Sequence, residues 1–211
     1  MFEDDETLQM YIEESLEHLS DIESDLLTIE EGGEDIDIDL VNNVFRAAHS
    51  IKGGAGFMGL TTIKNLAHSL ENVLDLIRNM ELVPDPDRIS VLLKGFDKLE
   101  NLMNNIQSSN DEDVSDHVQA LANITKASLP EEKQDLVSGV VNLALADGRL
   151  FSQVSQYDLE QRKNEGHYIF LVEYDLINDI HRKNKNPLKR LETLEKTRTI
   201  IESRNDPESV R

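Results

Sequence analysis

The sequence predicts a mainly α protein. The expected architecture is an antiparallel up-down helical bundle, four core helices plus a fifth, followed by a small α+β module. Three observations predict it. Apolar residues recur at helical spacing through the first 129 of 211 residues. The breaks between successive stripes are short, which favours antiparallel neighbours. After Ser128-Leu129-Pro130 the apolar residues gather in runs instead of stripes. The expected division is therefore 1–129 for the bundle and 130–211 for the module.

The first stripe is Leu8, Tyr11, Ile12, Leu16, Leu19, Ile22, Leu26 and Ile29, read as one helix with acids on its other face. Gly32-Gly33 ends it. A second helix is expected from about Asp39 to Ala55, with Val41, Val44, Phe45, Ala48, Ile51 and Ala55 facing the core. Gly53, Gly54, Gly56 and Gly59 crowd its end. The third runs from about Leu60 to Met80 through Ile63, Leu66, Ala67, Leu70, Val73, Leu74 and Ile77. Pro84-Asp85-Pro86-Asp87 is a break followed by helix-start chemistry. The fourth helix then carries Ile89, Leu92, Leu93, Phe96, Leu99, Met103 and Ile106, and a shorter fifth lies around Val114–Ile124. In the module, Val137–Ala146 is apolar but broken by Gly139. His167–Tyr174 reads as a buried strand, Asn186-Pro187 opens a short helix, and Thr199-Ile200-Ile201 suits another strand. Residues 147–166 show no clear period.

Charge narrows the function. Lys plus Arg total 21 against 42 Asp plus Glu, a formal net charge of −21. The excess is concentrated: residues 1–130 hold 27 acids and 8 bases, residues 131–211 hold 15 and 13. Such a surface argues against nucleic acid and against an anionic membrane. The 38% of apolar residues in periodic order argue against disorder. With no cysteine, disulfides and thiolate metal sites are excluded. There is no signal-peptide pattern at the N-terminus and no apolar run near the ~20 residues that cross a bilayer. A cytoplasmic protein without direct membrane insertion is expected.

The informative segment is Phe45-Arg46-Ala47-Ala48-His49-Ser50-Ile51-Lys52-Gly53-Gly54-Ala55-Gly56-Phe57. His49, Lys52, Gly53 and Gly56 share one side of a helix, at the border of the apolar stripe. His49 is therefore expected to be partly exposed over a firm floor. Each mid-helix glycine costs about 1 kcal/mol relative to alanine. One reason to accept that cost is bare backbone beside His49, at Gly53 and Gly56, where another protein can approach. Helix termination is the competing reason, and for Gly56 it is the better one. The third helix supplies His68 and Glu71 one turn apart. With antiparallel second and third helices, His49 and His68 lie level when the turn centres between Met58 and Gly59. Glu71 then sits about one turn away, roughly 4.5 Å along the axis, within reach of the His49 ring. A carboxylate on one ring nitrogen fixes the tautomer and leaves the other nitrogen nucleophilic. Lys52 would supply positive charge for an incoming phosphoryl group. Together these residues suggest reversible phosphoryl transfer on nitrogen.

The runs His49-Ser50-Ile51-Lys52-Gly53-Gly54-Ala55-Gly56 and His68-Ser69-Leu70-Glu71-Asn72 resemble the histidine phosphotransfer (HPt) domain at the N-terminus of CheA-type chemotaxis histidine kinases. The resemblance covers about residues 3–128. It implies an HPt-like bundle in which His49 is phosphorylated, Glu71 bonds the His49 ring, and Lys52 and His68 complete the site. It further implies phosphate drawn from ATP on a separate histidine kinase domain and passed to an aspartate of a response-regulator receiver. ATP and Mg²⁺ are expected on those partner domains, with no cofactor or metal on this chain. Residues 131–211 occupy the place where such kinases dock their regulator, and Arg182, Lys183, Lys185, Lys189 and Arg190 would suit an acidic receiver.

No Asp-x-Gly-x-Gly nucleotide lid and no phosphate loop occur, so the chain has no ATP site of its own. The N-terminal part of a longer protein is expected, a protein histidine kinase if the parent is of the CheA type. Two other readings compete. One is a non-catalytic helical interaction scaffold with His49 incidental. The other is a metal-binding bundle using His49, His68 and Glu71, although bundle metal sites usually gather more inward carboxylates.

Overall fold

The computed structural model describes residues 6–33, 35–137, 139–144, 148, 150–164 and 166. Six helices make up residues 6–128: α1 (Glu6–Leu19), α2 (Ile22–Gly32), α3 (Ile38–Met58), α4 (Thr61–Arg78), α5 (Pro86–Asn104) and α6 (Ser115–Ser128). A 3₁₀ turn at Ile106–Asp111 joins the last two. A helical bundle is what the sequence predicts, with two differences at its start and middle.

The first expected helix is two. The backbone breaks at Ser20-Asp21, where the Ser20 hydroxyl donates to the Glu17 carbonyl at 2.8 Å. Serine and aspartate compete with the helix for backbone partners in this way. Leu19 and Ile22 are buried on either side of the break, so the apolar stripe continues across it. The second difference lies in α3, which runs three residues past Ala55 and carries Gly53, Gly54 and Gly56 inside it. Gly59 ends it instead, at φ 70°, with the Leu60 amide reaching back to Ala55 O at 2.9 Å.

The other helix ends follow their chemistry. Asp37 caps α3 by accepting from the Asp39 and Leu40 amides, each at 3.1 Å. Asp85 caps α5 by accepting from Arg88 N at 2.9 Å, with Pro86 in the first turn. The N-terminus of α4 has no cap of its own. Asn110, from the 3₁₀ turn, accepts from Thr62 N at 3.3 Å and donates to Gly59 O at 3.0 Å.

One core runs through the bundle. α4 supplies Ile63, Leu66, Leu70, Val73, Leu74 and Ile77, all fully buried against α3, α5 and α6. Val41, Val44, Ala48 and Ile51 face it from α3, and Ile89, Leu92 and Leu99 from α5. Leu26 and Ile29 close the core from α2, which packs on α3 and α5.

Beyond the bundle come a short helix, α7 (Glu131–Gln134), a 3₁₀ turn, an antiparallel pair β1 (Val140–Ala144) and β2 (Leu150–Ser155), and α8 (Gln156–Asn164). Val140 pairs with Ser155 and Val141 with Val154, and a bulge falls between Leu143 and Ala144. Strand β2 and α8 occupy the stretch in which no period is legible. Leu159 and Tyr157 are the buried apolar residues of an otherwise polar α8, too few to make a stripe. The expected strand at 167–174, the helix at 186, the strand at 199–201 and the basic cluster at 182–190 lie outside the described residues. No described helix is long and apolar enough to cross a membrane.

Candidate functional site

The site lies in the seam between α3 and α4. The two-residue connection Gly59-Leu60 folds α4 back along α3, and a hydrogen bond across the seam sets their register. His49 Nδ1 lies 2.9 Å from Glu71 Oε1. Glu71, not His68, is therefore level with His49. The turn centres on Leu60 because α3 continues through its glycines, one and a half residues later than the sequence reading has it. The same register sets His68, half-buried, opposite Lys52 one turn nearer the connection.

Glu71 and Lys52 are both buried, deeper than the helix edge expected of Glu71 and the stripe border expected of Lys52. The Lys52 side chain is 8% exposed and the Glu71 side chain 6%. Lys52 Nζ lies 2.6 Å from Glu71 Oε2. That contact is an ion pair without good hydrogen-bond angles, and it is what Oε2 has. The lysine ammonium is thus held by the carboxylate beneath His49 instead of standing free for an incoming phosphoryl group. Burial alone pushes the Glu71 carboxyl up. The Lys52 charge and the His49 hydrogen bond work against it, and the group is held well below the usual carboxylate range.

An ionised carboxylate only accepts hydrogen bonds, so Nδ1 is the nitrogen that carries the proton. The lone pair of the His49 ring then sits on Nε2. The His49 side chain is 12% exposed, enough to present one edge. Its floor is aromatic: the Phe45 ring stacks on the imidazole with centroids 5.9 Å apart and planes 12° apart.

The glycines divide. Gly53 is buried, so the expected approach surface does not include it; Gly56 is half-exposed. Gly54 has an internal reason. A Cβ there would stand 2.3 Å from Tyr11 Cε2, and the Tyr11 hydroxyl donates to Ile51 O at 2.8 Å. The glycine admits the ring of α1 against the α3 backbone.

Sequence reading misses three groups here. Phe45 passes as one more core residue of the stripe. Arg78 stands outside the apolar stripe of its helix, yet its guanidinium lies 4.0 Å from the Phe45 ring centroid. Asp75 is buried and hydrogen-bonded by Arg78 Nη2. Their signal is spacing alone: Phe45 stands four before His49, and Asp75 four after Glu71. The metal reading finds little here. Both Glu71 oxygens are engaged, one by an ammonium, and among the described residues no three His, Cys, Asp or Glu are grouped to hold an ion.

A helical bundle that presents one nitrogen of an imidazole and holds the other by a buried carboxylate is the class that fold and site define. Residues 6–109 match the Hpt domain family. The chain is 39% identical over 104 residues to the chemotaxis protein CheA of Bacillus subtilis, covering 49% of this chain and 15% of that protein. It is 42% identical over 99 residues to the CheA of Rhizobium meliloti, covering 47% and 13%. Among solved structures it is similar to the CheA phosphotransferase domain from Thermotoga maritima, with TM-score 0.45 and 35% identity over 50% of this chain and 98% of that one. Residues 6–109 are an Hpt domain, and the region is the N-terminal, CheA type. The chain spans about one-seventh of the length of the two full-length relatives.

Proposed function

We propose that this chain carries phosphate in chemotaxis-type two-component signalling, with His49 as the phosphoacceptor. The observation that supports this most is the hydrogen bond from Nδ1–H to Glu71, which leaves Nε2 as the basic nitrogen of a part-buried ring. In the reaction, the Nε2 lone pair forms a bond to the γ-phosphorus of ATP held by a histidine kinase domain. The P–O bond to ADP breaks, and ADP leaves with that electron pair. The imidazolium that forms keeps its Nδ1 proton on Glu71, whose negative charge stabilises it. In the return step a carboxylate oxygen of a receiver aspartate attacks phosphorus, the N–P bond breaks, and the neutral ring is restored. Positioning and charge do the work, and Mg²⁺ belongs to the partner domains. Lys52 acts indirectly, by keeping Glu71 ionised in a buried place. His68 borders Lys52 and completes the pocket, and Gly56 leaves the flank open to partners. The phosphotransfer unit comprises 1–129 and works in the cytoplasm; 130–211 is a docking region for the regulator.

The test is labelling with the kinase catalytic domain of the Bacillus subtilis relative and [γ-³²P]ATP. Wild type should acquire acid-labile, base-stable phosphate. His49→Gln should acquire none, with an unchanged helical circular dichroism spectrum. Equal labelling of the variant would overturn the assignment, and labelling of neither would favour an interaction scaffold.

A further inference from the structure

The seam beyond His49 holds groups that the transfer step does not use. Phe45, one turn earlier on α3, lies nearly parallel to the imidazole, 12° off and 5.9 Å away between centroids. The Arg78 guanidinium carbon sits 4.0 Å from the centroid of that phenyl ring. Arg78 Nη2 donates to Asp75 Oδ1, and Asp75 is buried. Asp75 Oδ2 accepts from Asn79 Nδ2 at 3.5 Å and from Gln161 Nε2 of α8. Arginine, phenyl ring and imidazole thus form one contiguous stack anchored by a buried acid.

One hydrogen bond at Nδ1 fixes a point of the His49 ring but not its plane. Rotation about the Cβ–Cγ bond of histidine is a broad sp³–sp² torsion with no sharp well of its own. The Nε2 lone pair points obliquely to that bond, so an error in the plane turns it off the line to phosphorus. A flat face beneath the ring removes that freedom. Aromatic faces favour such offset stacking, and a cation over the phenyl ring holds it in place.

We infer that Phe45, braced by Arg78, is a shelf that sets the plane of the His49 ring and so the aim of Nε2. Both are positioning residues for the transfer proposed above, and the inference rests on that reading. Asp75 is the anchor that keeps Arg78 over the phenyl ring.

The experiment uses the full chain, the same kinase domain and ATP under single-turnover conditions, with Phe45→Leu, Phe45→Tyr and Arg78→Met. Phe45→Leu keeps apolar bulk and loses the face. It should slow the maximal rate about threefold to tenfold, the range an unconstrained rotamer permits, with half-saturation by the kinase domain unchanged. Phe45→Tyr should restore the wild-type rate. Arg78→Met should slow transfer in the same direction. In proton NMR the His49 ring protons, displaced by the phenyl ring current, should move toward unstacked values in Phe45→Leu and stay in Phe45→Tyr. If Phe45→Leu does not fold, Arg78→Met and the rescue by Phe45→Tyr still decide. A folded Phe45→Leu or Arg78→Met with wild-type rate and wild-type His49 resonances overturns the shelf alone. A wild-type chain that takes no phosphate takes the transfer reading down with it.

Discussion

Glu71 sits where water cannot reach its carboxylate, between an imidazole on one oxygen and an ammonium on the other. A buried pair of this kind is weak evidence for stability as a whole, but removing one member strands the other, at about 3–5 kcal/mol. The pH dependence follows from the depressed carboxyl. Its folded pKa lies below its unfolded value of 4.5, so its contribution is present above that pH and is lost as pH falls below it. Glu71→Gln should therefore be markedly less stable than wild type in urea at pH 7. The difference should shrink steadily below about pH 4.5, as the unfolded chain takes up a proton that the folded chain still excludes. A gap of the same size at pH 3 and pH 7 would show that Glu71 is not held ionised. The pairing of His49 with Glu71 is legible in the sequence, because helical spacing and a short turn bring them to one level. The depth of Lys52 is not. A lysine at the border of a stripe reads as solvated, and only the carboxylate across the seam shows why it is drawn in.

Helix α3 accepts three glycines in its last two turns, and Tyr11 of α1 explains one of them. Helix propensity alone would reward Gly54→Ala by about 1 kcal/mol. The new methyl would meet a buried ring whose hydroxyl is bonded to Ile51 O, so the ring has little freedom to yield. Overpacking of this kind costs about 1–3 kcal/mol. Gly54→Ala is expected to lower the urea midpoint, and an unchanged or raised midpoint would show that Tyr11 repacks without strain. The same contact shows what sequence patterns leave out. Stripes run through the bundle helices here, since burial on one face dictates period. Closeness between two particular helices leaves no period, so the glycines read as an open flank beside His49 or a helix end, and not as a contact with Tyr11. The break at Ser20-Asp21 is hidden for a related reason: Leu19 and Ile22 stand three apart, and the stripe passes over a turn without losing step.

At the scale of the molecule, the acidic excess and the core coincide. The contiguous core extends from Tyr11 to Leu121 with no member from the hairpin or α8, and residues 1–130 hold 27 acids against 8 bases, 19 of the 21 excess negative charges. A negative bundle of this kind is steered toward basic surfaces, which suits a carrier that must meet partners in turn. The bundle is legible in the sequence because its helices are long and two-faced. The hairpin β1–β2 and the polar helix α8 are not, since five- and six-residue strands and a nine-residue helix with two buried apolar residues give no repeat to read. Yet Gln161 of that helix reaches Asp75 in the bundle, a link across 86 residues that no local pattern contains. All of these features converge on one atom of one ring. The most direct test phosphorylates ¹⁵N-histidine-labelled chain with the kinase domain and ATP, and reads the nitrogen resonances with ³¹P–¹⁵N coupling. An Nδ1–H tautomer is expected at His49 before the reaction, and phosphorus bonded to Nε2 of His49 after it. Phosphate on Nδ1, or on any of the other five histidines, would contradict it.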